Sequence, residues 1–214
     1  MNAEFEQIID AIRLSLQQPL PGKPAQERMA PSFRNYSSQT QQNTPIQSAV
    51  LLLLYPRDGE LYIAYFKRPE YNGPHSRQVA FPGGKWEERD YSLQETALRE
   101  TQEEFGVNPE LVTIWGKLSP LFIPISNMEV TPFVGYINHN PTYNPQPEEV
   151  SYIIEIPLKS ILDNSMKTSK TKHRNEIEIE TPMYVIENEE IWGATAMITS
   201  EFEEMIKGIR PFLI

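Results

Sequence analysis

Apolar residues at Phe5, Ile8, Ile9, Ile12 and Leu16 fall at helical spacing, which predicts one amphipathic helix ending before Pro19. From 19 to 47, Pro, Gln, Ser and Asn mix with no period, which predicts an extended wrap or ordered arm. The pattern then turns to strands. Ala49–Tyr55 is a continuous run of the fully buried type, Asp58-Gly59 marks a turn, and Leu61–Phe66 follows as the returning strand. Further strands are predicted at Gln78–Phe81, Val112–Leu118, Thr131–Ile137, Tyr152–Ile156, Glu176–Glu180 and Met183–Ile186. A loop rich in Pro and Asn over 138–149 ends in Glu148-Glu149. Near the end, Ile198, Phe202, Met205, Ile206 and Ile209 form one apolar stripe and predict a last helix. This order predicts an α+β fold, an α/β/α sandwich with a mixed β-sheet between helices. Residues 1–47 would form the N-terminal helix and extended arm, and 48–214 the main domain.

Composition narrows the class. At 214 residues the chain can enclose one sizeable core, and 39% apolar with 22% charged residues is ordinary for a globular protein. A formal charge of −10 argues against a general nucleic-acid binder and means that an anionic substrate must be focused by local cations. With no Cys, disulfides, thiolate zinc sites and Cys nucleophiles are excluded. The first residues carry Glu4, Glu6 and Asp10 and no basic stretch, unlike a signal peptide, and the apolar run Ala49–Tyr55 is too short to span a bilayer. A cytoplasmic protein is expected.

One stretch, from Phe81 to Gly106, carries candidate chemistry. Ser92 followed by Glu95 is a capping box, so a helix should begin at Leu93; Gly106 suits the left-handed C′ position and Pro109 blocks continuation. On that helix Leu98, Thr101 and Phe105 lie along one side and should meet the sheet. Glu100, Glu103 and Glu104 lie on another side, three and four apart. Like charges at that spacing destabilise a bare helix by roughly 0.2–0.5 kcal/mol per pair. A divalent cation reverses that sign, and clustered carboxylates suit Mg²⁺ or Mn²⁺. Arg99 can hold one carboxylate through a bidentate pair. Gly83-Gly84 lets the backbone approach a metal or phosphate closely, with a carbonyl as a further ligand. Singly, a Glu-Glu pair is ordinarily a solvated face and Gly-Gly an ordinary turn; their combination within one capped helix is what points to a site.

That combination resembles the Nudix box, in which a Gly and spaced acidic residues precede Arg-Glu-x-x-Glu-Glu-x-Gly: here Gly84, Arg99, Glu100, Glu103, Glu104 and Gly106. The acidic position at its start falls on Glu87, Glu88 or Asp90. The gap from Gly84 to Arg99 is one residue longer than in the commonest form. Together with Phe81-Pro82-Gly83-Gly84, this is similar to the coenzyme A pyrophosphatase branch. The run from Lys67-Arg68 to His75 and Gln78, the segments Ser119-Pro120-Leu121, Pro124-Ile125-Ser126 and Thr131–Gly135, and Glu149-Val150 leading to Ile156-Pro157-Leu158 resemble the same branch. Arg77 departs from it, standing where the branch's motif has Gly.

The resemblance implies a Nudix-like fold and metal-dependent hydrolysis of a diphosphate in a nucleoside diphosphate derivative. Coenzyme A or acyl-coenzyme A would give 3′,5′-ADP and (acyl-)4′-phosphopantetheine. It implies Mg²⁺ or Mn²⁺ held by Glu100, Glu103, Glu104 and Gly84, with Arg99 in a catalytic role. Glu100 and Glu103 on the helix, or Glu149 from the late loop with Glu148 as rival, stand as candidate bases. Arg68, His75, Arg77 and Lys85 are the candidate substrate contacts. Tyr143 is a possible stacking partner for adenine, while Lys167, Lys170, Lys172, His173 and Arg174 read as a solvated hairpin tip. ADP-ribose, a nucleotide sugar or a dinucleotide is the alternative substrate, and a non-catalytic nucleotide-binding protein the second alternative. A small-molecule partner and a possible homodimer are expected, with neither nucleic acid nor membrane.

Overall fold

The structure is a computed structural model that describes residues 3–32, 44–72, 75–174 and 177–209. Its centre is a mixed sheet built around β1 (Ile46–Arg57). β1 runs antiparallel to β2 (Glu60–Lys67) through a two-residue turn in which Asp58 and Gly59 both have positive φ, 50° and 82°. On its other side β1 lies parallel to β7 (Met128–Tyr136), pairing Ile46 with Met128 and Leu54 with Tyr136. β3 (Val79–Ala80) and β8 (Tyr152–Pro157) pair with β2. β4 (Gly83–Lys85) pairs with the first half of β1, and β5 (Thr113–Lys117) and β6 (Leu121–Ile123) pair with β7.

The unbroken apolar run of β1 has a simple cause: both faces of the strand are covered. Ala49, Leu51, Leu53 and Tyr55 join one buried cluster with Ala97 and Phe105 of α3 (Leu93–Phe105). Leu52 and Leu54 point the other way, into a larger cluster with Ile198 and Phe202 of α5 (Gly193–Ile206). The period-two alternation of a strand thus divides one run between two cores. Helices on both faces of a mixed sheet give the α/β/α arrangement expected.

α1 (Ala3–Ser15) sends Phe5, Ile8, Ile9 and Ile12 into the α5-side core, as its spacing predicts. The aperiodic stretch after it is less extended than expected, because it holds a short helix, α2 (Gly22–Glu27). Ser200 donates to the Ala25 carbonyl at 2.8 Å, and Gly22 N–H and Gln26 donate to Glu201, tying α2 onto α5. The part of this stretch from 33 to 43 lies outside the described residues.

A second, antiparallel sheet follows α4 (Leu158–Ile161) and joins β9 (Lys167–Arg174), β10 (Ile177–Ile186) and β11 (Glu189–Trp192). The two strands expected over 176–186 are one, continuous through Pro182, because β11 pairs only from Met183 onward and Pro182 faces β9 alone. The basic stretch read as a hairpin tip is a paired strand, with Lys167 bound to Glu203 and Lys170 to Glu190; the side chains of Lys172, His173 and Arg174 lie outside the description.

Candidate functional site

α3 starts and stops where its sequence dictates. Ser92 accepts from the Glu95 N–H at 3.2 Å, and Glu95 reaches back to the N–H of Tyr91 at 2.8 Å, one residue earlier than a standard capping box. Gly106 ends the helix at φ 70°, and a side chain there would also strike Asn144. Fixed in this way, the helix lies against β1 and β4.

The glycines of β4 set that approach. A Cβ at Gly83 would collide with the Ala49 carbonyl, and one at Gly84 would overlap the Glu100 carboxylate. Glu100 therefore sits directly against the strand, and Gly83 N–H donates to Glu104 Oε2 at 2.8 Å. Glu104 is only 2% exposed. Burial pushes its carboxyl up to about 8, further raised by the charges of Glu100 and Glu149 and opposed by Gly83 N–H and Arg68. Burial also raises Glu100, against the pull of Arg99.

Arg99 organises the other side. Its Nε and Nη2 grip Asp90 at 2.8 and 3.0 Å, Nη1 reaches Glu100 at 2.8 Å and Glu103 at 3.1 Å, and Nη2 also reaches the Lys85 carbonyl at 3.1 Å. The five donors of the guanidinium thus meet five acceptors, a pattern Lys could not reproduce. Asp90, 6% exposed, also accepts from Thr96 Oγ1 at 2.8 Å and Glu87 N–H at 3.1 Å, and Arg99 holds it well below the usual carboxylate range. Of Glu87, Glu88 and Asp90, it is Asp90 that contacts Arg99. It was missing from the expected site because the turn 86–92, closed by Trp86 Nε1 on the Asp90 carbonyl at 3.0 Å, decides which acid faces inward.

A pocket of about 380 Å³ opens beside Gly83 and Gly84. Glu100, Glu104, Glu148 and Glu149 line it together with Arg68 and Lys85, so most of the expected residues meet in one place. Of the two loop acids, Glu149 acts electrostatically on both Glu100 and Glu104. Glu103 is not in the lining; it pairs with Arg99 and, at 3.2 Å, with Arg89. His75 and Arg77 also lie elsewhere, on an exposed loop where His75 contacts Gln78 at 2.9 Å and Arg77 pairs with Glu70 at 3.7 Å. Arg77 has φ 58°, the left-handed backbone that favours Gly, which accounts for Gly as the residue expected there. Tyr71 of the same loop reaches the pocket instead. Tyr143 is no free stacking surface: its ring packs edge-on against Phe105 and Tyr55.

The anionic groups around the pocket are carboxylates, the hard oxygen ligands that Mg²⁺ and Mn²⁺ prefer. Among the described residues no three acidic or His side chains already stand close enough to form a cation cage. The chemistry of the donor set fits a divalent ion.

The NUDIX domain family model matches residues 45–178. A protein of Yersinia enterocolitica named "Uncharacterized Nudix hydrolase NudL" is 34% identical over 194 residues, covering 91% of this chain and 90% of its own length. Its namesake in Yersinia pestis is 37% identical over 160 residues, 75% of this chain and 79% of that one. A MutT/nudix family protein from Enterococcus faecalis has a TM-score of 0.52 at 15% identity, over 98% of this chain and 75% of that one. The MutT protein from Methanosarcina mazei has a TM-score of 0.51 at 18% identity, over 80% and 99%.

Proposed function

The chain belongs to the Nudix family and is a pyrophosphohydrolase acting on a nucleoside diphosphate derivative, and we propose that its substrate is coenzyme A or an acyl-coenzyme A. The products would be 3′,5′-ADP and (acyl-)4′-phosphopantetheine. The observation that carries the chemistry is the meeting of Glu100, Glu104, Glu149, Arg68 and Lys85 around Gly83-Gly84. The lengthened box and the branch-like segments on either side of it support the choice of substrate.

In this reading Glu100, Glu103, Glu104 and the Gly84 carbonyl would hold Mg²⁺ or Mn²⁺. When bound, the ion supplies charge neutralisation at the diphosphate and a lowered pKa for a water. Arg68 and Lys85 bind phosphate oxygens and offset the acidic field of the protein. Glu149, on a loop facing the helix, accepts the proton of the attacking water. Arg99 is a positioning residue: anchored on Asp90, it fixes the rotamers of Glu100 and Glu103. Gly84 keeps the strand bare so that Glu100 can approach it. His75 and Arg77 have no part in the pocket as it stands. Among the described residues no helix is long and apolar enough to cross a membrane.

The test is product analysis after incubation with coenzyme A and Mg²⁺, beside ADP-ribose, a nucleotide sugar and a dinucleotide. Adenosine 3′,5′-bisphosphate formed by the native protein and not by Glu104→Gln supports the reading. Cleavage of ADP-ribose or a dinucleotide with coenzyme A untouched would keep the site and overturn the substrate.

A further inference from the structure

Behind the acidic pocket lies a second, smaller cavity of about 130 Å³ on the α5 side of the sheet. The two share Arg68, Gly83, Gly84 and Met128, so the bare glycine strand is the threshold between them. Their chemistry is opposite. Among the described residues the first presents four carboxylates; the second has none and is walled by Phe81, Ile123, Val130 and Ile198, with Ala49 and Ala194 leaving the space open. Its two hydroxyl groups are already committed: Ser48 donates to the Glu129 carbonyl at 3.1 Å and Thr195 to the Val79 carbonyl at 3.0 Å. Among the described residues, apart from Arg68 at the threshold, no side-chain donor of the lining is left over for a ligand.

From this we infer that the cavity is a specificity subsite for a branched aliphatic group directly attached to the diphosphate. The inference rests on the function proposed above and sharpens it. Apolar cavities of about 150 Å³ stay dry and hold a molecule the size of benzene, so this one matches a group of four to six carbon atoms, roughly. In the pantetheine arm, the carbon one methylene away from the phosphate ester carries two methyl groups and no hydroxyl. In ADP-ribose, nucleotide sugars and dinucleotides a hydroxyl-rich sugar occupies that place. Seating it here would strip its hydroxyls of water with no partner to replace it. The cavity therefore selects the arm at the atoms nearest the cleaved bond, where a difference in fit acts directly on how the diphosphate is positioned.

The experiment measures equilibrium binding of 4′-phosphopantetheine and of ribose 5-phosphate to the full chain by calorimetry in Mg²⁺. The native protein, Ala194→Leu, which fills the cavity, and Ala194→Ser, which keeps its volume and adds a hydroxyl, are compared, with melting temperatures recorded for each. Ala194→Leu is expected to weaken 4′-phosphopantetheine by about 10-fold or more, the range a misfitted apolar pocket commands, and to leave ribose 5-phosphate within about 2-fold. Ala194→Ser should shift in the same direction by less, and serves if Leu disturbs folding. Equal affinity of both ligands for the native protein, or a variant series that moves neither, overturns the subsite. Coenzyme A turnover with that flat series would leave the proposed function standing and remove only the subsite. Binding of 4′-phosphopantetheine that responds to Ala194, in a protein that cleaves no coenzyme A, would keep the subsite and remove the substrate.

Discussion

α3 and α5 lie on opposite faces of one sheet, and each turns a pair of glutamates inward, with only Glu100 of α3 left partly exposed, yet the chain treats the two pairs differently. On α5, Glu201 is fully buried and accepts from Gly22 N–H, Ser119 N–H and Gln26, while Glu203, 2% exposed, takes Lys167 at 2.6 Å and the Tyr184 hydroxyl at 2.7 Å. Their charge is answered from within the fold, and they clasp α2 and the second sheet to the core. On α3, Glu104 receives one backbone N–H and Glu100 one guanidinium, with Glu149 adding more negative charge. A buried carboxylate without enough donors is costly, and in the proposed function a cation supplied from outside would make up that shortfall. In that reading the difference separates acids that hold the structure from acids that act.

The sharpest way to break this contrast is by amide substitution on α3. Glu104→Gln or Glu100→Gln is expected to lower kcat by about 10³-fold or more while the protein stays folded, since a metal-assisted hydrolysis loses its ligand. Steady-state kinetics with circular dichroism checks it; activity within 10-fold of native, roughly, would return α3 to the class of α5. The converse substitution, Glu201→Ala, takes the acceptor from the N–H groups of Gly22 and Ser119, both partly buried, and from the buried Gln26 side chain. It should cost about 3 kcal/mol or more of stability by urea denaturation, with kcat of the folded fraction nearly unchanged.

A smaller effect follows from titration. The Glu104 carboxyl stands at about 8 in the metal-free fold, against about 4.3 for Glu in an unfolded chain. Between those values the folded state keeps a proton that the unfolded state has released, so this group lowers stability as pH rises through the window and adds no further change above it. With chelator present, Glu104→Gln should therefore gain on the native protein from pH 5 to pH 8, reaching about 1–3 kcal/mol. A difference that stays flat across that range would contradict the burial argument. Smallest is Arg77→Gly, which relieves a left-handed residue outside the pocket; it should raise stability by about 0.5–1 kcal/mol and leave kcat/KM alone.

The sequence makes one half of this contrast legible. α3 is bounded by local chemistry, Ser92 with Glu95 at one end and Gly106 at the other, so its limits and the presence of Arg99, Glu100 and Glu104 on it could be read directly. β1 announces itself because both of its faces are buried. Which acid grips Arg99 depends on how the turn 86–92 closes, and no spacing rule distinguishes Asp90 from Glu87 or Glu88. Glu103 reads as equal to Glu104, but one turns to Arg89 and the other to Gly83. β9 and β11 carry no hydrophobic alternation, because much of their partnership is backbone pairing and surface ion pairs. Glu201 and Glu203 look like an ordinary solvated face; only α2 and β9, arriving from distant parts of the chain, bury them.

The most direct measurement is Mn²⁺ binding, followed by calorimetry or by the loss of free-ion electron paramagnetic resonance signal, in the native protein, Glu104→Gln and Glu203→Gln. The account predicts that Glu104→Gln loses about 10-fold or more in affinity while Glu203→Gln, though less stable, binds as the native protein does. Undiminished binding by Glu104→Gln, or an equal loss in both variants, would contradict the assignment of the α3 acids to the cation.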